Sequence, residues 1–99
     1  MRLARHLLLG ALERDSEMSR ASAELAATES FAGNLDAADA RLSSLLESDP
    51  QNYVALTALG INQLKRGQAQ AALDNFLKAG LIEPRYARAW LYSGVAFYQ

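Results

Sequence analysis

The chain has no cysteine, only two prolines and few β-branched residues. Without thiols there is no disulfide framework and no thiolate metal site, and redox chemistry leaves the compartment unassigned. An excess of charge is missing too, since ten Lys and Arg face eleven Asp and Glu, for a net of −1. Proteins held to nucleic acid by its phosphates carry a basic footprint, so no nucleic-acid partner is expected. Long apolar runs are also lacking. The stretch Ala89 to Tyr98 is about half of what spans a bilayer, and no membrane insertion is expected.

What remains is a 99-residue chain, 51% hydrophobic and rich in alanine and leucine. That supplies the core of one small helical domain. The start, Met1-Arg2-Leu3-Ala4-Arg5-His6 followed by Leu7, Leu8 and Leu9, has the charged-then-apolar order of a leader peptide. Gly10 breaks the apolar run, and it continues into Glu13-Arg14-Asp15 without a small-residue cleavage site. The stretch therefore reads as an amphipathic helix, and the chain as soluble.

A repeat organises the rest. Pro50 and Pro84 set a fixed step, and the same step separates Gly33 from Gly67, Ala38 from Ala72, and the members of the small series Ala26, Gly60, Gly94. Such a 34-residue period is the signature of a stacked helical array. Between the breaks, apolar residues recur at helical spacing. One helix is expected from Arg20 to Phe31, with Ala23, Ala26, Ala27 and Phe31 on its apolar side. Gly33 ends it, and Asn34 is placed to cap a second carrying Leu35, Ala38, Leu42, Leu45 and Leu46 on one face. Asp49-Pro50 ends that one, because proline cannot continue a helix. Asn52 is placed to cap a third, Tyr53 to Arg66, with Leu56, Leu59, Gly60 and Leu64 apolar. A fourth runs from Gln68 to about Ile82 with Ala72, Leu73, Phe76 and Ala79 inward, and a fifth begins near Ala87 with Trp90, Gly94 and Phe97. The opening stretch keeps the register: Ala4, Leu8 and Ala11 precede Ala38, Leu42 and Leu45 by one period, although Ser16 replaces the proline.

These residues resemble the tetratricopeptide repeat family, whose unit is an antiparallel helix pair closed by a proline. The middle unit carries the marks at Leu56, Leu59, Gly60, Ala72, Phe76, Ala79 and Pro84, and the last half-unit at Trp90, Gly94 and Phe97. The first full unit keeps Leu25, Ala26, Ala38, Leu42 and Pro50 but has Ser22 and Glu29 where large residues belong. The resemblance implies an all-α fold, a right-handed superhelix (α-solenoid) of antiparallel helix pairs. It divides the chain into residues 1–18 as the second helix of a preceding unit, full repeats 19–52 and 53–86, and the first helix of an incomplete repeat at 87–99. In this register Ala72 with a bulky replacement should overpack by ~1–3 kcal/mol, and Leu59→Ala should cost ~2–5 kcal/mol if buried.

No enzyme, metal or cofactor site is expected. His6 has no second histidine or cysteine to share a metal. The eight serines lack a histidine-and-acid frame, and Glu24 with Glu29, or Asp36 with Asp39, lie at the spacing of a solvated helix face. Gly33 and Gly67 form no phosphate-cradling motif.

The resemblance implies instead a partner-binding groove lined by the first helices. On this chain it comprises Ala23, Ala27 and Ser30, then Thr57, Ala58, Ile61, Leu64 and Lys65, then Arg88, Leu91, Tyr92 and Val95. Such a mainly apolar face suits a short helix or extended segment of a protein partner. The charged clamp that some family members use for a C-terminal carboxylate is essentially absent, since Ala23, Ala27, Ala58 and Tyr92 occupy its positions and only Arg88 keeps a charge. RNA-reading helical repeats have a longer period and a basic surface, and neither is present. Trp90 and Phe97 lack a mate, which predicts self-association through the unpaired terminal helices or continuation into a longer array. The expected function is a protein–protein interaction module, a scaffold or chaperone-like assembly factor. The alternatives are a structural spacer within a larger protein, or repeats that hold substrate for an attached enzyme domain.

Overall fold

The computed structural model describes residues 18–98, and every regular element among them is α-helical. Helix α1 is described over 18–31, followed by α2 (Leu35–Ser48), α3 (Tyr53–Lys65), α4 (Ala69–Ile82) and α5 (Ala87–Phe97). Both bounds of α4 lie one full period beyond those of α2, and α5 starts one period after α3. The expected second helix over 1–18, and His6 within it, lie outside the described residues except for Met18.

The local signals act as their chemistry requires. Gly33 and Gly67 take positive φ, +93° and +80°, a conformation that glycine adopts without a Cβ penalty. Each sits in the same closure: Asn34 N–H donates to Glu29 O and Gln68 N–H to Gln63 O, a bond that satisfies a terminal helix carbonyl. Asn52 caps α3, its side-chain oxygen accepting from Ala55 N–H at 3.0 Å. Asn34 occupies the cap position of α2 but makes no side-chain cap bond.

Successive helices pack on one another, and the residue pairs give their directions. Gly60 meets Phe76 while Gln63 bonds Asn75, so α3 and α4 run antiparallel. Gly80 meets Trp90 and Phe76 meets Tyr92, which sets α4 against α5 the same way. Helices α1 and α3 run parallel, joined near one end by Asn52 Nδ2 to Ser19 O and near the other by Lys65 Nζ to Ser30 O. Ala26 and Leu42 share one buried cluster with Ala23, Ala38 and Ala58, while Phe76, Ala72, Ile61 and Ala96 form the next. The expected inward residues Ala72, Phe76 and Ala79 are fully buried, and Leu73 is half-buried. Leu59 is only half-buried, so the full cost expected for its truncation does not apply.

Polar residues the hydrophobic pattern passed over also seal the array. Asn62 is buried and donates to Asp39 Oδ1 at 2.7 Å, joining α3 to α2. Arg66 forks between Asp36 and Asp39 at 2.9 and 2.8 Å, and these carboxylates hold its guanidinium above its ordinary pKa. Among the described residues no helix is long and apolar enough to cross a membrane.

Candidate docking face

The twelve predicted groove residues do not lie on one open surface. Ala23, Ala27, Ser30, Thr57, Ala58 and Ile61 are buried, Leu64 and Tyr92 half-buried, and only Lys65, Arg88, Leu91 and Val95 exposed. The columns of the repeat give the reason. Ala23, Thr57 and Leu91 occupy one column, with exposures of 0, 1 and 67%, and Ala27, Ile61 and Val95 the next, at 5, 4 and 42%. In α1 and α3 these positions pack against the helix that follows in the array. They are interlayer core, and they open only on α5, beyond which no further described helix lies.

Two of the buried positions are polar and satisfied within their own helix. Thr57 Oγ1 donates to Tyr53 O at 2.8 Å, and Ser30 Oγ to Ala26 O at 3.0 Å. Such bonds to the preceding turn let a hydroxyl enter the core without an unmet donor.

The inner side is also more tightly closed than the repeat alone implies. Helices α1 and α5 approach each other across α3: Glu24 reaches Arg88 at 4.0 Å, and the Phe31 ring lies 6.5 Å from that of Tyr92. Lys65 Nζ stands 5.5 Å above the Phe31 ring, a cation–π contact, while donating to Ser30 O. Sequence reasoning left Phe31 and Glu24 out of the groove. Their one sequence signal is that Phe31 and Lys65 are column mates, one period apart. Nearby, Tyr86 packs edge-on against Tyr53 with ring centroids 5.0 Å apart. Burial pushes the Tyr86 phenol above its ordinary 10.0, with Arg88 pulling the other way.

The open apolar surface sits at the other side of the stack, on α5 and the adjoining flank of α4. Leu91 and Val95 form one exposed stripe of α5, and Trp90, Gly94 and Phe97 a second stripe beside it. Leu77 and Leu81 of α4 are exposed as well. A Cβ built on Gly60 would lie 2.5 Å from Phe76, whereas one built on Gly94 meets nothing within 4 Å among the described residues. The socket that Phe76 fills in the middle unit is thus bare in the last. Trp90 is held in place by its Nε1–H, which donates to Pro84 O at 2.9 Å, and by packing onto Gly80.

A second concavity is polar and shallow. An open cleft of about 480 Å3 between α1 and α2 is lined by Ser22, Ala37, Ala40, Arg41, Ser44, Leu45 and Ser48. It arises because Ser22 stands in the column that Leu56 and Trp90 fill elsewhere. Its one charge, Arg41, is already paired with Glu29 at 3.0 Å. Among the described residues no group of three His, Cys, Asp or Glu side chains is placed to hold a metal. No family model, no curated protein and no solved structure matches this chain.

Proposed function

We propose that the chain is a protein–protein interaction module that docks an apolar helix or peptide of a partner and carries out no catalysis itself. In this reading its helix pairs are stacked as a right-handed α-solenoid of the tetratricopeptide type. The periodic recurrence of helix bounds and glycine turns supports that architecture.

The observation that carries the function is the bare apolar face of α5. Leu91 and Val95 are open where their column mates are core, and Trp90 and Phe97 flank an unfilled socket at Gly94. An apolar patch of this kind on a soluble protein marks an interaction site. A helix laid on it would supply the i, i+3, i+4 anchors that such grooves read. The partner-binding residues are accordingly Leu91, Val95 and the half-buried Tyr92, with Arg88 and Lys65 as charged neighbours on the inner side.

A second reading is favoured by the six buried groove residues. A spacer segment whose inner face is filled by its own helices would bury Ala23, Ala27, Ser30, Thr57, Ala58 and Ile61 in this way. The two readings part on a titration of labelled amphipathic helical peptides, followed by anisotropy. A docking module binds saturably, loses binding with Leu91→Asp and keeps it with Leu25→Asp, a leucine exposed on α1 away from this face. No saturable binding, or equal loss in both variants, would support the spacer.

A further inference from the structure

We infer that the partner seated on α5 is an acidic amphipathic helix, with two carboxylate side chains about three turns apart and apolar anchors between them; this rests on the docking function proposed above. On α5, Arg88 shares a stripe with Leu91 and Val95 at i, i+3 and i+7, so a cation heads the open apolar face. The helix carries no acidic residue. The face continues onto α1 and α3, because Tyr92 meets the exposed Phe31 ring and Lys65 stands over that ring. Arg20 adds a third cation. It donates to Tyr53 Oη at 2.9 Å, and the Tyr53 ring packs on Tyr86, whose phenol Arg88 pulls down.

These three cations lack the carboxylates that others have. Arg41 meets Glu29 at 3.0 Å, and Arg66 meets Asp36 and Asp39 at 2.9 and 2.8 Å. By contrast, Arg20 donates to a neutral phenol and Lys65 to a backbone carbonyl, while Arg88 stands 4.0 Å from Glu24, longer than a hydrogen bond. Among the described residues Glu24 is the only carboxylate within 4.0 Å of any of the three. An ammonium has three donors and a guanidinium five, so each cation keeps some to offer. Positive charge is thus left over where the apolar face is open, and a partner helix with carboxylates complements both. The register gives their spacing. Val54 is the column mate of Arg88 on α3, and Lys65 follows Val54 by eleven residues (65 minus 54). Since α3 and α5 both run antiparallel to α4, Lys65 stands roughly 16 Å further along than Arg88, at 1.5 Å per residue. Eleven residues make close to three turns, so carboxylates at i and i+11 share one face of a helix, with anchors at i+4 and i+7 between them.

Fluorescence anisotropy with the full chain and labelled helical peptides tests this. Three peptides share one apolar face and differ only at i and i+11, which hold Glu, Gln or Lys. The Glu peptide is expected to bind about tenfold tighter than the Lys peptide at low ionic strength, the scale of two exposed ion pairs, with Gln between. The ratio should fall toward one as salt is raised. Moving both Glu residues into a single turn, at unchanged composition, should remove the advantage. The double variant Lys65→Glu with Arg88→Glu should invert the order, and a gain for the Lys peptide cannot come from an unfolded chain. Equal affinity for the three peptides, or an order unchanged in the double variant, overturns the proposal and leaves docking in place. An oligomer in sedimentation velocity that the double variant dissociates would give the face to a second copy, which overturns it as well. Binding by none of the peptides removes the docking function too.

Discussion

Gly60 lies directly beneath the Phe76 ring, and a Cβ added there would sit 2.5 Å from Cε1. Phe76 is fully buried, so the ring has little room to withdraw. Gly60→Ala should therefore destabilise the chain by overpacking, about 1–3 kcal/mol, reduced by the ~1 kcal/mol that alanine gains in helix propensity. Gly94→Ala, at the equivalent position with open space above it, should stabilise by up to ~1 kcal/mol, because only the propensity gain applies. Urea unfolding of the two variants should give shifts of opposite sign.

Phe76 is the largest fully buried side chain among the described residues and joins α3, α4 and α5 through Gly60, Ile61 and Tyr92. Phe76→Ala should cost about 3–5 kcal/mol in chemical denaturation. Phe76→Leu should cost less, since Leu42 fills the equivalent place in the preceding unit, where alanine replaces glycine.

Asn62 donates to Asp39 within the seam of α2 and α3. Asn62→Asp would bury a carboxylate against a carboxylate, with Arg66 already committed to Asp36 and Asp39. A loss of ~3–5 kcal/mol is expected near neutral pH, the range for an uncompensated buried charge. The introduced acid would have a raised folded-state pKa. The stability difference from wild type should therefore shrink as pH falls through that value, which a thermal melt series in acid would read.

Burial raises the Tyr86 phenol above 10.0. The folded state then holds this proton more tightly than the unfolded state does. Its contribution is complete below the unfolded value near 10 and is lost as pH climbs through the folded one. Melting temperature should fall on the alkaline side of pH 10, and Tyr86→Phe should flatten part of that fall.

The period, the helix bounds to within a residue or two, and the inward columns Ala38, Leu42, Ala72, Phe76 and Ala79 were legible in the sequence because glycine, proline and asparagine punctuate it. The groove was legible only in part. Repetition shows that Ala23, Thr57 and Leu91 are equivalent, but not whether their column faces solvent or the next helix. That depends on how closely the layers approach and how sharply they curve. The packing of α1 and α5 beside α3 brings Glu24 to 4.0 Å from Arg88, a contact between sequence-distant residues that no local pattern encodes. The polar seam of Asn62, Asp39 and Arg66 escaped for a similar reason: on a helix drawn alone Asp39 and Arg66 read as solvated charges, and only the neighbouring helix pairs them with each other and brings Asn62 against Asp39.

Trp90 is the chain's only tryptophan and borders the bare socket at Gly94, so its fluorescence reports directly on occupation of that face. The most direct measurement is Trp90 emission and acrylamide quenching in dilute protein titrated with an amphipathic helical peptide. Docking predicts a saturable blue shift with reduced quenching, abolished by Leu91→Asp in the protein. A flat titration, or the same response to a scrambled peptide, would contradict docking at this face.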